Sequence, residues 1–375
     1  MLRYMTAGES HGKGIVTILD GVPAGLKMDE KLINLELKRR MEGYGRGKRM
    51  SIEKDKVEII SGLRKGKTIG SPVSMVIYNK DFKIDKLADV KKPRPGHADL
   101  AGMQKYGLNN AREVLERASA RETAMRVAAG SVAKMILNAF DIKILSHIIR
   151  IGSIEAKTEG LTFNDILNFS KRSKVHCADK KASEKMCKEI DKVRKKGDTL
   201  GGIFEVIAKD VPPGLGSYSQ WDKRLDGALA RAVMSIPAVK AVSVGAGTEC
   251  SEKWGSKVHD EIIYKAKIKE FRRLSNNSGG LEGGITNGAQ VIVKGYMKPI
   301  ATLMTPLRSV NISTKKPTVA ATERADVSAV AACGVVGEAV IALELASAFL
   351  DKFGGDSITE ISRNYKGYLK QLKAM

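Results

Sequence analysis

The chain has 375 residues, 43% hydrophobic but only 5% aromatic, and a formal net charge of +22. That is enough to bury a sizeable core, in one large domain or two ordinary ones. The opening MLRYMTAGESHG lacks the apolar core of a secretory signal, and the longest apolar run, Val327–Leu350, is broken by Glu338 and Glu344, so it reads as a buried helix and not a membrane span.

The four cysteines (Cys177, Cys187, Cys250, Cys333) form no CxxC pair, and His176-Cys177 with Cys187 has the wrong spacing for zinc, so free thiols in a cytoplasmic protein without a metal are expected. Nucleic acid is the obvious partner for so basic a chain. Much of the excess, however, sits in Lys171–Lys196, where Lys and Glu interleave as on a solvated amphipathic helix. No zinc finger, RNA-binding aromatic signature or basic zipper accompanies it, so nucleic-acid binding is kept as an alternative only.

In chain order, Gly8-Glu9-Ser10-His11-Gly12 comes first, a histidine framed by glycines with an accessible ring suited to proton transfer. GIVTILD (14–20) reads as a strand entering a Val-Pro-x-Gly-Leu turn, followed by a helix over Asp29–Met41. The helix runs into Gly43-Tyr44-Gly45-Arg46-Gly47-Lys48-Arg49, where guanidinium forks and close backbone approach suit phosphate or carboxylate. Val57–Ile60 and Val73–Tyr78 are β-branched strands. Between them, Gly62-Leu63-Arg64-Lys65-Gly66-Lys67-Thr68 imitates a nucleotide-phosphate loop, but it has three residues between the glycines where that loop needs four.

Arg94-Pro95-Gly96-His97-Ala98-Asp99 sets a second histidine in a rigid, arginine-flanked turn. In LERASARETAMRVAAG (115–130), Ser119 and Glu122 fit a capping box opening a helix from about Ala120 to Leu137. Arg117 and Arg121 lie at the mouth of that helix, where its dipole already favours an anion, and Ala120, Ala124 and Ala128 give it a small face for close packing. The Lys-rich stretch 155–198 then separates two halves.

GIFEVIAKDVPPGL (202–215) echoes the first strand and turn, with a helical stretch over Gln220–Met234 after it. Strands follow at Val239–Val244 and Gln290–Gly295, and a long helix fills Val327–Leu350. A single compact α/β domain (1–375) is expected, with pseudo-repeats over roughly 1–150 and 199–375. The stretch from Ser275 to Asp326 also carries chemistry: glycines at 279–280 and 283–284 can admit a flat ring, and Lys298 and Thr302, four apart beside Pro299, can grip a phosphate.

Taken in order, GESHG (8–12), RRMEGYGRGKRM (39–50), RPGHAD (94–99), ERASARETAMRVAAG (116–130), EGGITNG (282–288) and the Arg-x-Asp at 324–326 resemble the chorismate synthase family from end to end. The resemblance implies a fold in which helices pack between two antiparallel sheets, and a homotetramer. It implies an FMN-dependent lyase that converts 5-enolpyruvylshikimate 3-phosphate to chorismate and phosphate. By the family pattern Arg40, Arg46, Arg49, Arg94 and Arg121 surround the substrate. His11 protonates the departing phosphate, His97 protonates the reduced flavin, and Asp326 assists deprotonation of the flavin and takes the substrate hydrogen. Arg117, Ala118, Ser119, Ala238, Gly283, Lys298, Pro299, Ile300, Ala301, Thr302 and Arg324 lie around FMN.

Some relatives also use NADPH, at the arginines here numbered 40 and 46. No dinucleotide-binding glycine fingerprint follows a strand, so an external flavin reductase is expected. Two departures stand out: Asn110 replaces the family's usual Asp, and Ala325 its usual Ser or His. They keep open a second alternative, a flavin-binding relative without lyase activity.

Overall fold

The computed structural model describes residues 2–47, 54–323 and 325–375. The first sheet comprises strands β1 (Arg3–Gly8), β2 (Gly14–Asp20), β3 (Glu58–Ile59) and β4 (Val73–Tyr78), ordered β1-β2-β4-β3 and antiparallel throughout. Along β2 the inward residues Ile15, Thr17 and Leu19 are fully buried, whereas Val16 and Ile18 point outward. This is the period-two pattern of a sheet with one covered face.

The second sheet comprises β5 (Lys143–Ile151), β6 (Ile154–Glu155), β7 (Gly202–Lys209), β8 (Val239–Val244) and β9 (Val291–Met297), in the order β8-β9-β7-β5-β6, again all antiparallel. The helices between and around the sheets are α1 (Glu30–Met41), α2 (Asp99–Tyr106), α3 (Ala111–Arg117), α4 (Thr123–Asn138), α5 (Phe163–Arg172), α6 (Lys180–Lys195), α7 (Leu225–Met234), α8 (Val330–Phe353) and α9 (Ile358–Ala374).

Helix α4 lies under the first sheet, α7 and α8 under the second, and α1 packs on α4 and α8, so the expected helices-between-sheets sandwich is present. Helix α1 starts where Asp29 accepts from the backbone N–H groups of Lys31 and Leu32. Helix α8 is apolar enough to cross a membrane by composition, yet it is the central core helix here, buried on nearly every face. It crosses α4 at Gly130, where an added Cβ would meet the Ala339 Cβ at 2.4 Å, and it seats the Phe204 ring over Gly337. Each such fully buried side chain contributes about 1.5–3 kcal/mol. One buried charge interrupts this core. Glu338 of α8 accepts from Arg39 of α1, Lys134 of α4 and Ser146 of β5.

The echo between the halves extends to atomic detail. After β2 the Thr68 hydroxyl donates to Pro23 O (2.6 Å) and accepts from Leu26 N (2.9 Å); after β7 the Thr286 hydroxyl donates to Pro212 O (2.7 Å) and accepts from Leu215 N (2.8 Å). Each threonine closes a hairpin, Leu63–Thr68 or Leu281–Thr286. The apparent phosphate loop at 62–68 is thus the counterpart of 280–286.

Several expected boundaries move. Ser119 caps only the short turn Ala120–Glu122, and the helix proper begins at Thr123. The capping box does not form, because the Glu122 carboxylate accepts from Thr6 Oγ1 (2.8 Å) and Arg126 Nε (2.9 Å) instead. The helix expected from Gln220 starts at Leu225, since Arg224 is extended after a turn over Trp221–Lys223. The Lys-rich stretch does more than separate the halves: α5 covers the outer face of the second sheet, and α6 adds Met186 and Ile190 to the core.

Candidate active site

His11 sits in the bend between β1 and β2. Its carbonyl accepts from the N–H groups of Lys83 and Ile84, and Asn79 Nδ2 donates to the carbonyls of Glu9 and Gly12 on either side. The expected accessible ring is instead buried, 8% exposed. Glu116, on the last turn of α3, accepts the His11 backbone N–H at 2.8 Å and has both oxygens 3.0 Å from Nδ1; Nε2 points toward Asp81 at 3.8 Å. Burial pushes the Glu116 carboxyl up, but the His11 ring and N–H together with Arg112 hold it below its usual range.

Arg40 and Arg121 meet at one carboxylate. Asp55, whose side chain is fully buried, pairs with Arg121 Nη1 and lies 3.5 Å from Arg40 Nη1. Arg40 also donates to Thr123 Oγ1 (2.9 Å) and Ala120 O (2.8 Å), and Arg121 Nε donates to Asn79 Oδ1 (2.9 Å), which ties the arginines to the His11 loop. Burial pulls the Arg40 guanidinium down to about 10, with Arg46 and Arg121 adding to the shift and Asp55 opposing it. Such a cluster gains from an incoming anion.

Arg46 pairs with Asp326 at 2.8 Å, and Asp326 also accepts from Gly47 N–H at 2.6 Å. The loop holding Arg46 is braced from behind by the Lys-rich stretch: the Tyr44 hydroxyl donates to Asp191 of α6, and Gly45 packs on Ile190. Arg49 and Arg324 lie outside the described residues.

His97 and Arg94 share Asp99 at the start of α2. The Asp99 Oδ1 is 2.5 Å from His97 Nδ1, and Arg94 donates to both oxygens and to Thr302 Oγ1 at 2.8 Å. Burial pushes the Asp99 carboxyl up, and His97 and Arg94 outweigh it, holding it well below the carboxylate range. Arg94 is therefore committed to bracing this corner.

Beside it lies a cavity of about 290 Å³, lined by Pro95, Gly96, Asp198, Thr199, Pro299 and Ala301 among others, with Lys298 and Ile300 in the wall. Burial and then the neighbouring Lys240 lower the Lys298 ammonium. A lysine ammonium in the wall of a cavity fits a phosphate-bearing cofactor. Ala238, held at φ +71, adjoins through its carbonyl, which accepts from Lys298 N.

Arg117 is engaged elsewhere, donating to Gly8 O and Thr6 O, and Ser119 donates to Ser10 Oγ. Arg117, Ala118, Ser119 and Gly283 do not line this cavity; Gly283 sits on the 281–286 hairpin near Tyr218. Asn110 is a helix cap, accepting from Arg112 N and Val90 N and donating to Asp89. Its amide thus does a structural job.

The residues that the motif reading missed are the carboxylates Asp55, Asp81, Asp99 and Glu116 and the amide Asn79. Two of them, Asp99 and Glu116, lie inside the quoted motifs; the carboxylate two residues after His97 is a signal for Asp99, whereas Glu116 lies 105 residues from its histidine and carries none.

Buried guanidiniums balanced by carboxylates, with two histidines each backed by a buried carboxylate, define an enzyme that handles an anionic substrate by charge complementarity and proton transfer. The chorismate synthase family model matches residues 2–350. Chorismate synthases from Geotalea uraniireducens (51% identical) and Koribacter versatilis (48%) align over the whole of this chain and of their own. A solved structure, a crystal structure of chorismate synthase, superposes with a TM-score of 0.84 at 41% identity, covering 100% of this chain and 99% of that one. The chain belongs to the chorismate synthase family.

Proposed function

We propose that this chain catalyses the anti-1,4-elimination of phosphate from 5-enolpyruvylshikimate 3-phosphate to give chorismate, with reduced FMN as cofactor. It is a carbon–oxygen lyase of the shikimate pathway. The observation that carries the reading is the full-length family match combined with the buried Arg40–Asp55–Arg121 cluster beside the His11 loop.

The substrate bears a phosphate and two carboxylates, and breaking the C–O bond gathers negative charge on the leaving phosphate. Arg40, Arg46 and Arg121, preorganised by Asp55, Asn79 and Asp326, offer guanidinium donors to those anions without reorganising at the moment of reaction. His11 gives its Nε2 proton to the departing phosphate. His97, held by Asp99, keeps a proton at the edge of the cofactor cavity, and Asp326 is the acceptor for the substrate hydrogen. Reduced FMN, when bound, supplies transient electron density to the substrate and recovers it, so the overall reaction is redox-neutral. Lys298 and Thr302 would hold its phosphate, Thr302 from a buried position where it accepts from Arg94, and Pro299, Ile300 and Ala301 would wall the cavity.

An external reductase supplies the reduced flavin, NADPH serving only that reductase. The protein works in the cytoplasm as a homotetramer; the outward apolar face of the first sheet, where Met5 (72% exposed) pairs across the strands with Ile18 (50%) and Val16 follows on the same face, supports self-association. As a folding unit it is a single domain of two related halves, a reading supported by the matching threonine turns.

The test is anaerobic: protein, 5-enolpyruvylshikimate 3-phosphate and dithionite-reduced FMN, with chorismate and phosphate followed together. Equimolar release of both, absent with oxidised FMN, is the expected result. Absence of both products while FMN binds would overturn the assignment in favour of a flavin-binding relative. Turnover with NADPH in place of dithionite would overturn the external reductase.

A further inference from the structure

The His11 side chain is gripped from one side in a way that the proton-transfer role alone does not require. Glu116 receives three contacts from this one residue: the main-chain N–H at 2.8 Å and Nδ1 at 3.0 Å from each carboxylate oxygen. The Glu116 side chain is 1% exposed, and its other cation, Arg112, stands back at 3.6 Å because it pairs with Glu323 at 2.9 Å. A buried carboxylate this poorly served by its arginine draws its remaining compensation from the imidazole.

We propose that Glu116 is the positioning residue of the acid: it fixes the His11 tautomer with Nδ1–H directed at Glu116, leaves Nε2 as the atom that gives up the proton, and stabilises the imidazolium before transfer. This rests on the reading of His11 as general acid. In the step itself the Nε2–H bond breaks and the proton passes to a phosphate oxygen as the substrate C–O bond opens. The imidazole is left neutral, with Nδ1–H still donated to Glu116, while the C–O electron pair leaves with the phosphate and is replaced from the C–H bond whose proton Asp326 accepts in the overall elimination.

Among the described residues, the charged groups facing the ring are Glu116 and Arg112 from α3 and Asp81 and Lys83 from the segment after β4. Lys83 pairs with Asp81 at 2.7 Å, and Arg112 stands 3.6 Å from Glu116. Glu116 is the one held in contact with a ring nitrogen. The arrangement parallels the histidine–carboxylate pairing of hydrolase triads, in which the carboxylate sets tautomer and orientation without taking the proton.

The experiment uses the full-length protein as wild type, Glu116→Gln, Glu116→Asp, His11→Ala and the His11→Ala/Glu116→Gln double variant. kcat and KM are measured from pH 5.5 to 9, and the His11 ring is titrated by 15N NMR without substrate or flavin. Glu116→Gln is expected to lower kcat roughly 10- to 100-fold with KM nearly unchanged. Its alkaline limb and the His11 NMR midpoint should both move down by about one pH unit, since an acid that loses its counter-charge releases its proton earlier. Glu116→Asp, still charged, should keep the midpoint near that of wild type. In the His11→Ala background Glu116→Gln should cost nothing further.

An unmoved NMR midpoint in Glu116→Gln, or an equal rate loss with and without His11, overturns the positioning role while leaving His11 as the acid. Wild-type turnover by His11→Ala overturns the acid assignment itself, and the positioning role with it.

Discussion

Glu338 offers the sharpest test of how this fold holds together. Its carboxylate, deep in the central helix, accepts from Arg39 Nη2 (2.6 Å) and Nη1 (3.0 Å), from Ser146 N (2.8 Å) and Oγ (2.7 Å), and from Lys134. Glu338→Ala strips a counter-ion from two partly buried cations and leaves the Ser146 N–H without an acceptor. Breaking a buried pair by removing one member costs about 3–5 kcal/mol. Glu36 softens the loss, since it stays 2.8 Å from Arg39 and 2.7 Å from Lys134. The expected cost is about 3–4 kcal/mol, a large share of the roughly 5–15 kcal/mol that folded domains possess.

The pH dependence is fixed in sign. Burial raises the Glu338 carboxyl, but Arg39 and Lys134 prevail and hold it far below the usual glutamate range. Its stabilising contribution is therefore complete above the unfolded glutamate pKa, about 4.3, and drains away as the pH falls from there toward the depressed folded value. Urea unfolding followed by circular dichroism, wild type against Glu338→Ala at pH 7 and pH 3.5, reads both quantities. A difference under about 1 kcal/mol at pH 7, or one that widens on acidification, refutes the reasoning.

Gly130→Ala should destabilise by about 1–2 kcal/mol in urea titrations, because overpacking against Ala339 exceeds the roughly 0.5–1 kcal/mol that alanine gains in a helix; Ala339→Gly should restore part of the loss. Lys298→Ala should weaken FMN binding about 10- to 100-fold by fluorescence titration while leaving riboflavin affinity nearly unchanged, as expected for a charge directed at phosphate. Burial pushes the Cys333 thiol up to about 12 and the Cys177 thiol up to about 11. Both should resist iodoacetamide at pH 8 in the native protein and react in urea, with labelled peptides identified by mass spectrometry.

The elements that the sequence disclosed are those whose cause is local. Asp29 lies beside the N–H groups it caps, and Val73–Tyr78 carries its own β-branched residues, so α1 and β4 fall where the pattern puts them. Ser119 and Glu122 had the spacing of a capping box, but Glu122 had better partners in Thr6, over a hundred residues away in sequence, and in Arg126, one helical turn on. Asp55 was illegible for a similar reason. Its partners come from 15 residues before it and 66 after it, and only the folded sandwich brings Arg40 and Arg121 to one carboxylate. The lysines of α6 looked like solvated surface, and along most of the helix they are. The two residues that matter to the site, Asp191 and Ile190, were concealed among them.

The twin threonine turns make this molecule its own control. Thr68→Val and Thr286→Val remove the same hydroxyl, the same two hydrogen bonds and the same hairpin clasp from two places in one chain. Whatever the lesion costs in general, about 1–3 kcal/mol of buried hydrogen bonding, both variants suffer alike. The remainder, one variant subtracted from the other, isolates what a half of the protein demands of its own turn beyond holding it shut. Few proteins allow a background so closely matched in chemistry, since an ordinary control mutation differs from its test in size, burial and neighbours at once.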